Sequence, residues 1–255
     1  MSLNFDRVGK QLAKIDGGKY KNKVVSVSTD KDNDEITKDF TNLHLKDGKF
    51  QQIINPDTER EILYITGASG SGKSHYTREY VKNYLKLYPN NKIYCFSALK
   101  EDETLDEINV LRLKIDDSLF TQPLLAEEFK DSLVIMDDID CISNKKHRNA
   151  VIDILNEILE TGRHFRTSLI LTYHLATNGH NTRKILNECH SVTFFPFSGS
   201  MVGKKRLLVD YCGLDKATLK KVKNTNSRWC TFFKNYPNIV MTEQNIWLCS
   251  NDDDE

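Results

Sequence analysis

The sequence predicts an α/β fold, a mostly parallel sheet flanked by helices, with a small N-terminal β extension and a C-terminal α+β segment. Three observations lead there. From Glu61 onward, short apolar runs alternate with amphipathic stretches, as βαβ units require. Most of those runs are continuously apolar, as expected of strands covered on both faces. A glycine-rich loop joins the first of them to a helical stretch.

The elements follow in order. Residues 1–60 are polar and charge-mixed, and two short apolar runs, 24–27 and 43–45, predict strands on either side of a charged loop, 28–39. The core, 61–200, carries strand-like runs at 62–66, 93–97, 110–115, 133–136, 168–172 and 191–195. Tyr76, Tyr80, Tyr84 and Leu87 recur at helical spacing after Lys73 until Pro89 stops the segment. Val151, Ile154, Leu155, Ile158 and Leu159 form a second stripe between Lys145 and Gly162, the glycine being a plausible terminator. The last segment, 201–255, reads as two helices (203–213 and 215–223), two strands (227–233 and 245–249) and an acidic tail (251–255).

Composition excludes several classes. At 255 residues and 39% hydrophobic the chain can bury a core, so it is neither disordered nor fibrous. Thirty-six Lys+Arg balance 36 Asp+Glu, so any polyanion site must be a local patch. The three candidate patches are Lys145, Lys146, His147 and Arg148; Lys204, Lys205 and Arg206; and Lys220, Lys221 and Lys223. No run of about 18 apolar residues predicts a membrane span, and the first residues lack the apolar core of a secretory signal, so a cytosol-like compartment is expected. Cys95, Cys141, Cys189, Cys212, Cys230 and Cys249 are scattered without metal-site spacing and read as reduced packing residues.

Gly67, Ala68, Ser69, Gly70, Ser71, Gly72, Lys73 and Ser74 fit G-x-x-x-x-G-K-[ST], followed by His75, in the strand–loop–helix context that makes the motif specific. Backbone N–H groups of such a loop form an anion nest, and the helix adds its positive dipole end. Lys73 then reaches the β- and γ-phosphates and Ser74 coordinates Mg²⁺. This is the Walker A element of a P-loop NTPase, and without a visible guanine reader ATP is the expected nucleotide.

The run 133–136 ends in Asp137 and Asp138, the form of a Walker B element. At the carboxyl end of a parallel strand Asp137 can accept from a water on Mg²⁺. Asp138 stands where ATP-hydrolysing relatives usually carry Glu, one methylene longer, to orient the attacking water. The competing reading is that Asp138 or Asp140 caps the next helix. The spacing between Walker A and Walker B leaves room for 93–97 and 110–115, which suits the RecA-like (ASCE) class, in which a strand is inserted between the P-loop and Walker B strands.

The stretches 154–175 and 182–196, together with the two Walker elements, resemble viral genome-packaging ATPases of the FtsK/HerA superfamily, of the type found in poxviruses, other large DNA viruses and virophages. The resemblance covers about 62–196 and rests most specifically on the Gly162-Arg163-His164 helix end, the strand ending in His174, and the run from Thr182-Arg183 through Asn187-Glu188 to Phe195-Pro196. It implies that Arg163 acts in trans on a neighbour's γ-phosphate, with Arg166 and Arg183 as rivals and a surface arginine at a helix end as the plain alternative. It implies that His174 is the polar sensor between the P-loop and Walker B strands, the plain alternative being a structural histidine such as His164 and His190. It further implies a homo-oligomeric ring of five or six subunits that moves double-stranded DNA, without sequence preference, into a preformed capsid and contacts a capsid vertex protein. Its place would be the host cytoplasm at the assembly site, or the virion. Rival readings are an AAA+ helicase loader, which needs a helical lid bearing a cis arginine, a small-molecule P-loop kinase, and a non-catalytic nucleotide-binding scaffold.

Overall fold

A computed structural model describes residues 1–29 and 35–249; the centre of the charged N-terminal loop and the acidic tail lie outside the described residues. In chain order the elements are β1 (Ser2–Asn4), β2 (Lys10–Asp16), β3 (Val24–Ser28), β4 (Asn42–His44), β5 (Lys49–Gln52), β6 (Ile62–Thr66), α1 (Lys73–Leu87), β7 (Lys92–Ser97), α2 (Glu103–Asp106), β8 (Leu111–Arg112) and α3 (Ser118–Thr121). They continue as β9 (Ser132–Asp137), α4 (Lys145–Thr161), β10 (Ser168–Tyr173), α5 (His180–Glu188), β11 (Ser191–Phe194), α6 (Met201–Arg206), α7 (Lys216–Lys223), β12 (Cys230–Phe233), β13 (Ile239–Thr242) and β14 (Asn245–Leu248). The chain divides into two compact units, one of residues 58–189 and one of 1–57 with 190–255.

In the first unit β6, β10, β9, β7 and β8 lie in that order, and the pairs are parallel. β6, β9 and β10 are buried along their whole length, which explains their unbroken apolar runs. The strand inserted between the P-loop and Walker B strands is β10. That is where the resemblance puts the strand ending in His174; the runs 93–97 and 110–115, for which the spacing between Walker A and Walker B leaves room, lie on the far side of β9. The run 110–115 yields only the two-residue β8, because it is an edge strand whose Leu111 points to solvent.

Helix α1 buries Tyr76, Tyr80, Val81 and Tyr84, whereas Leu87, in the last turn, is 45% exposed and drops out of the expected stripe. Helix α4 buries the five apolar residues of its stripe. Its start is capped by the Asn144 side chain, which accepts from the amides of Lys146 and His147. At its far end Arg60 donates to the Ile158 and Leu159 carbonyls at 2.8 and 2.9 Å, satisfying acceptors that a helix end leaves open.

The second unit is antiparallel. One sheet runs β1-β3-β2-β5, and β11, β12, β13, β14 and β4 pair in succession. Leu12, Ile15, Val25, Phe50, Phe233, Met241 and Ile246 belong to one shared core, so the two ends of the chain pack together. Among the described residues the segment after residue 200 is helical over 201–211 and 216–223 and then forms the strands β12, β13 and β14, not the all-helical lid that an AAA+ loader requires. All six cysteines are free thiols, four of them buried. Among the described residues no helix is long and apolar enough to cross a membrane.

Gly162, at the end of α4, leaves no room for a side chain: a Cβ there would lie 2.4 Å from the Ile158 carbonyl oxygen and 3.0 Å from Arg60. Gly162→Ala is expected to cost roughly 1–3 kcal/mol through that overpacking. Urea unfolding should show a lower midpoint at unchanged slope, and an unchanged midpoint would contradict the packing account.

Candidate nucleotide-binding site

The carboxyl ends of β6, β10, β9 and β7 are aligned by register: Tyr173 pairs with Thr66, Thr172 with Asp137, and Ser97 with Asp137. Parallel strands therefore deliver four consecutive chain ends to one edge of the sheet. The P-loop leaves β6 there. The Gly67 amide donates to the Tyr173 carbonyl at 3.0 Å, and the Ser71 amide closes a turn onto the Ala68 carbonyl at 3.1 Å. Gly70 and Gly72 take φ values of 74° and 112°, the left-handed region that suits glycine.

Helix α1 begins with no side-chain cap and no acid in its first turn, so its leading N–H groups face the loop interior. The Ser71 hydroxyl is buried without a hydrogen-bond partner among the described residues. An uncapped helix start and an orphaned hydroxyl inside one loop fit a phosphate guest. Ser69 and Gly70 are exposed at the loop tip, and exposed His75 lies 3.0 Å through Nδ1 from an Arg78 guanidinium nitrogen on the outer face of α1.

Lys73 is only 7% exposed. Its Nζ donates to the Gly67 carbonyl at 3.1 Å, lies 3.4 Å from His174 Nδ1 and pairs with Asp138 Oδ2 at 3.4 Å. His174 Nε2 lies 3.0 Å from the same Asp138 oxygen. The two ring nitrogens of His174 face Lys73 and Asp138 respectively. Lys73, Asp138 and His174, singled out independently in the sequence, thus form one polar triangle.

Asp138 reaches the triangle because its backbone is left-handed, φ 44°, where Asp is among the few residues tolerated. Its amide donates to the Thr172 hydroxyl at 3.0 Å, which holds that turn. This bend brings the shorter acid to the P-loop lysine. The alternative reading, Asp138 as a helix cap, fails: its side chain makes no cap hydrogen bond to the following turn.

Asp137 is buried, and each of its oxygens accepts a hydroxyl: Thr172 on Oδ1 at 2.7 Å and Ser97 on Oδ2 at 2.9 Å. Burial pushes its carboxyl above the ordinary range, with the charges of Asp138 and Asp102 adding to the rise and the two hydroxyls opposing it. The Ser74 hydroxyl donates to Asp102 at 3.1 Å. Among the described residues no three acids, histidines or cysteines are arranged to chelate a metal by themselves. One hydroxyl with nearby acids fits Mg²⁺, which keeps several waters and takes its other ligands from phosphates.

Sequence reasoning misses Thr172, Ser97, Asp102 and Tyr64. Thr172 interrupts an aliphatic run two residues before His174, a signal that was legible. Tyr64 is buried in β6, and its hydroxyl donates to the Leu175 and Ala176 carbonyls at 3.1 and 3.3 Å, holding the chain just after His174. Burial drives its phenol far above the ordinary value, so it remains a donor.

Arg163 is not brought into this site within its own chain. It is 71% exposed and paired with Glu59 at the amino edge of the sheet, just before β10, a strand length of roughly 16 Å from the carboxyl edge. Arg166 pairs with Asp131 at 2.6 Å near the same edge, and Arg183 is exposed on α5. Of the basic patches, Lys145 and Lys146 are exposed at the start of α4, whereas Lys204 is buried with its ammonium on the Pro196 carbonyl and is lost to any polyanion surface.

No family model matches the chain. It is 44% identical over 244 residues to protein V3 of Sputnik virophage, covering 94% of this chain and 96% of that one. The fold is similar to genome packaging NTPase B204 of Sulfolobus turreted icosahedral virus 2, solved in complex with AMPPCP (TM-score 0.50, 16% identity) and with ATP-gammaS (TM-score 0.50, 17% identity), each match covering 76% of this chain and 98% of B204. The P-loop NTPase fold and the resemblance to viral packaging ATPases expected from the sequence are thereby met.

Asp137→Asn should stabilise the nucleotide-free protein. A folded-state pKa raised above the unfolded value of about 3.9 means the native state binds the proton more tightly, so stability is lost as pH rises from there through the folded pKa. Above that window the neutral amide removes the penalty. Thermal melts at pH 7 should show a higher Tm, by roughly 2–4 °C per kcal/mol gained, with the gap closing in acid. A lower Tm at pH 7 would contradict the burial account.

Proposed function

The chain belongs to the family of protein V3 of Sputnik virophage, and on that premise and the geometry of the nucleotide site we propose that it is an ATP-driven double-stranded-DNA translocase that packages a viral genome into a preformed capsid. One observation carries the reading: the buried Lys73 ammonium, Asp138 and His174 meet at the P-loop, the place where a γ-phosphate and its attacking water would sit. The B204 structures, described as genome packaging NTPases bound to ATP analogues, lend the same fold to that chemistry.

In this reading Gly67, Ala68, Ser69, Gly70, Ser71, Gly72, Lys73 and Ser74, with His75 at the rim, cradle the phosphates. Lys73 exchanges the Gly67 carbonyl for phosphate oxygens. Ser74 and Asp137 hold Mg²⁺, which when bound neutralises charge on the β- and γ-phosphates. Asp138 accepts a proton from water as its oxygen bonds to the γ-phosphorus and the bond to ADP breaks. His174 senses the change through the oxygen it shares with Lys73. Arg163, remote from its own site, acts on the neighbour's, so the working form is a homo-oligomeric ring of five or six subunits.

DNA is held by its phosphates, which carry no sequence information and need only a few cations per subunit. Lys145 and Lys146 at the start of α4, beside a cavity of about 680 Å³ whose lining includes Lys100, Arg112, Lys114 and His147, supply them. A capsid vertex protein is the expected docking partner, and the assembly site in the host cytoplasm, or the virion, the expected location.

Lys73→Ala should reduce ATP turnover to background. Arg163→Ala should keep nucleotide affinity and lose about 10³–10⁵-fold in turnover, as trans-acting arginines do. Mixing the two inactive variants should restore part of the activity, since some interfaces then combine an intact P-loop with an intact arginine. No restoration at any mixing ratio would place Arg163 outside the site.

A further inference from the structure

We propose that Asp102, on the loop between β7 and α2, is the positioning residue that orients the metal-binding hydroxyl of Ser74. The inference rests on the nucleotide and Mg²⁺ reading above. A serine hydroxyl has one hydrogen and two lone pairs. Only when the hydrogen is donated elsewhere do both lone pairs face a cation, and an outer-shell acceptor fixes that orientation. Here the hydrogen goes to Asp102 Oδ2 at 3.1 Å. Asp137 is occupied differently, carrying the Thr172 hydroxyl on one oxygen and the Ser97 hydroxyl on the other.

Asp102 is held in place for this role. Its other oxygen, Oδ1, accepts from the Thr104 and Leu105 amides at 2.9 Å each, capping α2. Its own amide donates to Asp106 Oδ2 at 2.9 Å. Asp106 is in turn gripped by Arg112 of β8, whose Nε and Nη2 lie 2.9 and 2.7 Å from Oδ1. The carboxylate is thus divided: one oxygen serves the local fold, and the other faces Ser74. The edge strand β8 and the short α2, which add little to the core, anchor a group that acts on the metal site.

The division suggests the variant. In Asp102→Asn the amide oxygen can keep the cap, since Asn is as good a cap as Asp, but the NH₂ turned to Ser74 would donate into a lone pair meant for the cation. Binding of a non-hydrolysable ATP analogue carrying a fluorescent ribose tag would be measured with Mg²⁺ and with EDTA, for wild type, Asp102→Asn, Asp102→Ser and Ser74→Ala. Asp102→Ser retains a capping oxygen and lacks the second acceptor.

The Mg²⁺-dependent gain in affinity is expected to fall by about 10–100-fold in Asp102→Asn, less in Asp102→Ser, with EDTA affinity unchanged in both. The double variant with Ser74→Ala should lose no more than Ser74→Ala alone. A wild-type gain in Asp102→Asn, additive losses in the double variant, or an equal loss in EDTA would each overturn the assignment. If wild type itself shows no Mg²⁺-dependent gain, the metal reading of the site fails and this inference with it.

Discussion

A lysine ammonium that is 7% exposed has to be compensated, and in this chain the compensation of Lys73 organises the site. Its partners come from three places: the Gly67 carbonyl after β6, Asp138 after β9 and His174 after β10. Those strands are adjacent and parallel, so their carboxyl ends converge without special loops. The left-handed turn at Asp138 is the local concession that the convergence requires. A residue in that conformation persists when its surroundings over-determine it, and here Thr172 holds the turn while Lys73 and His174 hold the side chain.

The acids divide their work by environment. Asp137 is buried, held by two hydroxyls, and raised in pKa by its burial; Asp138 is turned outward onto a lysine and an imidazole; Asp102 is half-buried and pinned from the edge of the sheet. A site with this much negative charge is stable only with cationic or hydrogen-bonded compensation. Lys73, the two hydroxyls and the helix N-terminus supply part of it, and in the proposed reading a phosphate-bound divalent ion would supply the rest.

Much of this was legible in the sequence because its signals are local. A glycine-rich loop between a strand and a helix, an apolar run ending in two acids, and a 3.6-residue stripe from Val151 to Leu159 each depend on near neighbours. What was not legible depends on pairing at a distance. Which strand lies between the P-loop strand and Walker B is decided by how the chain crosses over: 93–97 pairs with Walker B on its other side and 110–115 lies beyond it, while β10 takes the place between. Asp102 lies in a charged run between Lys100 and Asp106, with nothing local to separate it from a solvated loop. Strands β1, β2 and β5 are short and amphipathic, and their hydrophobic side is completed by Phe233, Met241 and Ile246, nearly 200 residues away.

Arg163 carries the quaternary part of the proposed function, because at the amino edge of the sheet it lies remote from its own P-loop. In the proposed reading every catalytic group but this one gathers at the chain's own P-loop, and a neighbour would complete the reaction. The most direct measurement is steady-state ATP hydrolysis at low salt, with and without duplex DNA of unrelated sequences, across a range of protein concentrations. The account predicts turnover that duplex of any sequence stimulates and that rises cooperatively with protein concentration. Turnover that is linear in protein and indifferent to duplex would contradict it and would favour a monomeric P-loop enzyme acting on a small acceptor.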